Sequence, residues 1–187
     1  MWGLNNMISL QYLLEEEQRS RIYCDMDGVL TDFIKAIRDI GWTGSLDFKR
    51  ADVNEMWKLV NKQGGPKFWG SIPWMKDGKE LWNFIKDKDP YILTSVGQPL
   101  NSDRGRNRRI GKEMWVKREL GSQYLINMSI VPDKQLKANF ARHNAVLIDD
   151  EKQNIDDFVQ AGGIGILHKT AHETIIKLKE FMNEDSL

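Results

Sequence analysis

Residues 22–32 read Ile-Tyr-Cys-Asp25-Met-Asp27-Gly28-Val-Leu-Thr-Asp32, an apolar run that ends abruptly in acidic residues. Such a run reads as a strand buried in a sheet. At an extended strand end, residues two apart point to one side, so Asp25 and Asp27 converge on a single site. Gly28 lets the chain turn tightly behind them without a Cβ clash. Two carboxylates this close repel each other, and a divalent cation or a shared proton relieves the repulsion. Oxygen ligands suit a hard ion such as magnesium. A calcium loop also begins Asp-x-Asp-Gly, but the later Asp/Asn and Glu ligands of an EF-hand are missing at their required spacing.

The same pattern recurs along the chain. Apolar runs at 91–93, 125–131, 145–148 and 164–167 end in polar or acidic residues and predict further strands, with helix-like patterns at 78–88, 107–120, 134–142, 154–161 and 171–182 between them. This alternation predicts an α/β fold, a Rossmann-like three-layer arrangement with helices on both faces of a parallel sheet. Thr170 and Glu173 form a Thr-x-x-Glu capping box ahead of the last helix, and Gly162-Gly163 ends the helix before it. Residues 33–75 break the alternation. They are rich in aromatic residues (Trp42, Phe48, Trp57, Phe68, Trp69, Trp74) and predict a small helical cap inserted into a core made of 1–32 and 76–187, with 1–20 as an N-terminal arm.

A second acidic pair, Asp149-Asp150, closes the strand at 145–148. Ligands of an open parallel sheet bind beyond the carboxyl ends of its strands, so both acidic pairs face one crevice. A third strand end brings the hydroxyls of Thr94 and Ser95, which suit phosphate oxygens. Lys112, Lys134 and Lys137 are the nearby cations. Each alone reads as a surface charge, and together with the strand-end acids they supply the compensation a phosphate needs.

At 187 residues, 41% hydrophobic and 29% charged, the chain is an ordinary globular protein with one substantial core. Lys plus Arg equals Asp plus Glu at 27 each, so no global field draws it to nucleic acid or membrane, and an anionic ligand must be met locally. The lone cysteine, Cys24, has no intramolecular partner, which favours a reducing compartment. No apolar run reaches the ~18 residues that span a bilayer, and residues 1–20 lack the early basic region of a secretory signal. A cytoplasmic location is expected.

DMDGVLTD at 25–32, ILTS at 92–95, a helix-borne lysine and VLIDD at 146–150 resemble, in order, the four motifs of the haloacid dehalogenase superfamily. Within it the chain is most similar to the 5'(3')-deoxyribonucleotidases and their phage and bacterial relatives. That likeness rests on Phe68-Trp69 ahead of Lys76-Asp77-Gly78, on Gly111-Lys112-Glu113-Met114-Trp115-Val116 and on Leu147-Ile148-Asp149-Asp150. The chain departs from the vertebrate enzymes in its N-terminal arm, in a segment dense in arginine (Arg104, Arg106, Arg108, Arg109), and before Asp149. There, Lys134 and Lys137 both suit the third motif, and the distance to the acidic pair favours Lys137.

The resemblance implies a magnesium-dependent phosphomonoester hydrolase whose substrate is a nucleoside monophosphate. Asp25 would be the covalent nucleophile and Asp27 the general acid and base. The ion would sit on the Asp25 carboxylate, the Asp27 backbone carbonyl and Asp150, with Asp149 supporting from behind. Thr94, Ser95, Lys112 and Lys137 would bind the phosphoryl group, and Phe68 and Trp69 the base. Two rivals stand beside this reading: a polynucleotide 3'-phosphatase, suggested by the arginines, and a nucleotide- or phosphate-binding module without turnover.

Overall fold

The computed structural model describes residues 20–46 and 53–184. Expectations about the N-terminal arm and Phe48 lie outside the described residues. Five strands, β1 (Arg21–Cys24), β2 (Tyr91–Ser95), β3 (Met128–Val131), β4 (Ala145–Asp149) and β5 (Ile164–Leu167), form one sheet in the order β3-β2-β1-β4-β5. All neighbouring pairs are parallel, with Cys24 opposite both Ile92 and Ile148. The α/β reading holds.

The two-residue period of the strands separates two cores. Ile22, Cys24, Ile92, Val146 and Ile148 point to one face, against α4 (Gly78–Ile85), α5 (Asp103–Glu119) and α7 (Ala171–Glu184). Tyr23, Leu93, Ala145 and Leu147 point to the other, against Phe158 of α6 (Lys152–Gln160) and Phe140 of the 3₁₀ segment Lys134–Phe140. Because both faces are covered, the central strands carry runs of consecutive apolar residues, 22–24, 91–93 and 145–148, rather than an alternating pattern. Chain order reverses at β1, whose neighbours β2 and β4 lead away in opposite directions, and the carboxyl ends of these three strands open onto a common crevice.

Local signals explain the element ends. Thr170 Oγ1 accepts from Glu173 N at 3.2 Å, the Thr half of the expected capping box. Gly162, at φ +92°, ends α6 in the left-handed region. Three boundaries differ from the sequence reading. α5 begins at Asp103 rather than 107, because Ser102 caps it by accepting from Gly105 N, so the arginine-dense segment is the start of this helix. Within 125–131 only 128–131 is strand; residues 122–125 form a 3₁₀ turn from which Tyr124 and Leu125 pack onto the core. Residues 134–140 make 3₁₀ turns instead of an α-helix.

Among the described residues between β1 and α4 are three short helices, α1 (Phe33–Asp39), α2 (Val53–Lys62) and α3 (Pro66–Gly70). They have their own apolar cluster of Ile37, Trp42, Met56, Val60, Phe68, Trp69 and Ile72. Glycine makes the contact of α3 with α5 close: a Cβ on Gly111 would lie 2.3 Å from Trp69 Cβ. Trp115, fully buried on α5, donates its indole N–H to Ile72 O at 2.8 Å, and Arg118 donates to Gly70 O. The helix that carries these contacts also carries Lys112. Among the described residues no helix is long and apolar enough to cross a membrane.

Candidate active site

The loop after β1 is wound around one carbonyl. Met26 O accepts from the amides of Val29, Leu30 and Thr31, and Gly28, at φ +82°, makes the reversal possible. Asp25 N is held by Ile148 O of β4 at 3.0 Å, so the nucleophile candidate is registered directly on the strand that ends in Asp149. Asp27 is fixed separately, accepting from Thr31 Oγ1 at 2.9 Å.

Two buried lysines organise the acids. Lys137 Nζ lies 2.9 Å from Asp25 Oδ2 and 2.7 Å from Asp149 Oδ2, and all three side chains are almost wholly enclosed. Lys112 Nζ donates to Asp27 Oδ2 at 2.6 Å and to Thr94 Oγ1 at 2.7 Å. Lys134 is exposed at the rim and pairs with Glu151. Of the two lysines that fit the third motif, Lys137 is therefore the one that touches Asp25.

Asp149 has its oxygens filled. Besides Lys137 it accepts from Glu151 N at 2.9 Å and from Asn154 Nδ2 at 3.0 Å. Asp150 is exposed beside it, with its carboxyl over Gly28: a Cβ there would lie 2.2 Å from Asp150 Oδ2. Asp25, Asp149 and Asp150 bring carboxylate oxygens within 4.8 Å of one another. Burial, aided by Asp149 and opposed by Lys137, raises the Asp25 carboxyl to about 6. Although the residue as a whole is exposed, the burial of its carboxyl over Gly28 and the charges of Asp25 and Asp149 raise Asp150 to about 7. Burial alone would raise Asp27 too, but the charge and hydrogen bond of Lys112 and the hydroxyl of Thr31 bring it below the usual carboxylate range. For Lys137, burial is outweighed by Asp25 and Asp149, which hold it firmly charged. The cluster thus carries more negative charge than its lysines neutralise. Its donors are hard oxygens, the set that suits magnesium.

A cleft of about 480 Å³ lined by Asp25, Asp27, Thr94, Ser95, Lys137 and Asp150 joins these groups. Beside it, a cavity of about 180 Å³ runs under the helical insertion, walled by Asp27, Lys112, Ser95, Phe33, Trp57, Trp69 and Arg108. The two candidate base-binding rings part company. Trp69 lines this cavity, whereas Phe68 stands edge-on to Trp69 and Phe33 inside the insertion's core and lines neither space. An insertion this small needs apolar mass at its centre, and Phe68 supplies it. Arg108 belongs to the arginine-dense segment noted in the sequence but is not singled out there as a site residue. It sits four residues before Lys112, on the same helical face, and that spacing was the available signal.

No protein-family model matches the chain, and no curated protein does. Solved structures do match. A haloacid dehalogenase family hydrolase from Deinococcus radiodurans, solved with bound phosphate and sodium, aligns over 91% of this chain and 97% of its own, at TM-score 0.53 and 12% identity. A haloacid dehalogenase-like hydrolase from Streptococcus pneumoniae aligns over 86% and 90%, at TM-score 0.53 and 12% identity. The chain has the fold of haloacid dehalogenase-like hydrolases, with an aspartate cluster at the carboxyl ends of its central strands.

Proposed function

We propose that the protein is a magnesium-dependent phosphomonoester hydrolase that works through an aspartyl-phosphate on Asp25 and acts on nucleoside monophosphates. The observation that carries the reading is the placement of Asp25. Its carboxylate pairs with Lys137 beside Asp149 and Asp150, and it lines one cleft with Asp27 and Thr94, the two groups that hold Lys112. The phosphate and sodium of the Deinococcus hydrolase are ions of the two kinds that such lysines and carboxylates attract.

Asp25, Asp150 and the Asp27 backbone carbonyl would hold the magnesium ion, which supplies neutralising charge beside the phosphoryl group. An Asp25 oxygen forms a bond to phosphorus as the ester P–O bond breaks, and the departing oxygen takes a proton from Asp27. Water then attacks the aspartyl-phosphate, gives a proton to Asp27 and restores the Asp25 carboxylate. Lys112 lets Asp27 play both parts. While Lys112 donates to Asp27, the carboxylate stays ionised; when Lys112 and Thr94 turn to a phosphoryl oxygen, Asp27 loses its cation, its proton affinity rises, and it takes up from solvent the proton that it then gives to the departing oxygen. The helical insertion acts as a cap over the cleft, on the side where the leaving nucleoside lies.

Phosphate release from a deoxynucleoside monophosphate and from p-nitrophenyl phosphate, with and without magnesium, tests the reading. Magnesium-dependent release that Asp25→Asn abolishes, with the circular dichroism spectrum unchanged, is the expected result. Substantial turnover in that variant would remove Asp25 as the nucleophile.

A further inference from the structure

Beyond the cavity at Lys112 lies another of about 150 Å³, which shares the walls made by Trp57, Trp69, Gly97 and Arg108 and adds Arg104, Asn61, Asn107 and Gln98. Its aromatic walls are already engaged. Phe33 stacks on Trp69 with ring centroids 5.5 Å apart and planes 9° apart, and the Arg108 guanidinium lies 4.5 Å from the centre of the Trp57 ring and 4.9 Å from that of Trp69. A planar base has little free ring face to lie on here. What the cavity offers is N–H donors and positive charge.

Arg108 is held in place without an ion pair to any described carboxylate. One guanidinium nitrogen donates to Val96 O at 2.5 Å, in the loop that follows β2, and the tryptophans fix the plane. Its remaining donors, and all those of Arg104, have no carboxylate in ion-pair range among the described residues, although both arginines line the cavity. Burial and the neighbouring Arg104 charge lower the Arg108 guanidinium against the pull of Asp27. Two like charges set together, one of them half-buried, are stabilised by an anion placed between them. A planar guanidinium with free parallel N–H groups matches phosphate bidentately.

We propose that Arg108 and Arg104 form a second phosphate subsite, so that the substrate is a nucleotide carrying another phosphate group besides the one transferred at Asp25. The inference rests on the phosphomonoesterase part of the proposed function and replaces the simple nucleoside monophosphate by a nucleotide with a second phosphate. Asn61, Asn107 and Gln98 surround the subsite with neutral amide groups that complete the second phosphate's hydrogen bonds. That phosphate belongs either to a nucleoside bisphosphate or to the diester next to a phosphorylated oligonucleotide end.

The experiment has a binding arm and a turnover arm. In the first, Asp25→Asn protein with magnesium is titrated calorimetrically with a deoxynucleoside 3',5'-bisphosphate and with the matching 5'-monophosphate. The bisphosphate is expected to bind about tenfold more tightly, from one charge-assisted bidentate contact at a partly exposed site, and this margin should shrink with added salt. Combining Asp25→Asn with Arg108→Met should bring the ratio of the two affinities toward one. Equal affinities for the two ligands, or an unchanged ratio in the Arg108→Met protein, would overturn the subsite. In the second arm, kcat/KM of the otherwise native enzyme is compared for the monophosphate, the bisphosphate and a 3'-phosphorylated dinucleotide. Preference for either substrate with a second phosphate supports the subsite, and the better of the two identifies whether a terminal phosphate or a diester fills it. Hydrolysis of the monophosphate with no preference and no binding margin would defeat the subsite while leaving the phosphatase standing. A binding margin without hydrolysis of any ester would defeat the phosphatase and leave the subsite.

Discussion

Replacing Lys137 with methionine removes one positive charge from between two buried carboxylates while keeping nearly the same volume. The side chains of Lys137, Asp25 and Asp149 are 1%, 9% and 0% exposed, so water cannot take over the lost contacts. Asp149 keeps Asn154 and the Glu151 amide, but Asp25 loses the cation at 2.9 Å that opposes its burial. Breaking a buried pair by removing one partner costs ~3–5 kcal/mol. For a chain of this size that is a fall of ~6–20 °C in melting temperature, at ~2–4 °C per kcal/mol. Two agents reduce the loss. Protons do so because the uncompensated carboxylates become neutral more readily, so the deficit measured at pH 5.5 is smaller than at pH 8. Magnesium does so by restoring positive charge, so the ion raises the melting temperature of Lys137→Met more than that of the native protein. Thermal melts of both proteins at the two pH values, in EDTA and in 10 mM magnesium, measure all of this. A deficit below about 1 kcal/mol, or one indifferent to both pH and magnesium, would refute the view that Lys137 neutralises a buried acidic cluster.

Gly28→Ala places a methyl group 2.2 Å from Asp150 Oδ2 at a backbone φ of +82°; urea unfolding should show a loss of ~1–2 kcal/mol from the left-handed backbone, and magnesium titration a larger ion requirement, because Asp150 must move aside. Asp150→Ala should weaken magnesium binding with little loss of stability, whereas Asp149→Ala should lower the melting temperature, since Asp149 is wholly buried and holds Lys137, Asn154 and the Glu151 amide; the reverse order would exchange their roles. The carboxyls of Asp25 and Asp150 are raised from 3.8 to about 6 and about 7, so in the pH range between those values the folded metal-free protein binds more protons than the unfolded chain. These groups therefore make metal-free stability fall as pH rises from ~4 to ~7, and apparent magnesium affinity should weaken as pH drops below 7. Melting in EDTA and calorimetric titrations across pH 5–8 check both signs.

How much of this was legible in the chain depended on whether the cause was local. An apolar run closed by Asp25-x-Asp27-Gly28 determined a buried strand, a tight turn and two convergent acids, because strand periodicity and glycine's freedom act within a few residues. The same local logic placed β2, β4 and β5, the Thr170 cap, the Gly162 stop and the second acidic pair. Local signals were weaker at the start of α5, where arginines hid the Ser102 cap, and at 125–131, where apolar side chains serve a 3₁₀ turn as well as a strand. Tertiary structure alone decided which charges meet. Lys134 and Lys137 are three residues apart in one segment, yet one pairs with Glu151 at the surface and the other is sealed between Asp25 and Asp149. Phe68 and Trp69 are adjacent, yet one fills the insertion's core and the other faces the cavity. Arg108 stood apart from its neighbouring arginines only when α5 was laid against α3, through the close approach at Gly111, and brought it over Trp57 and Trp69. Periodicity tells which face of an element is buried; what that face meets depends on residues far away in sequence, whose positions are set by how the whole chain packs.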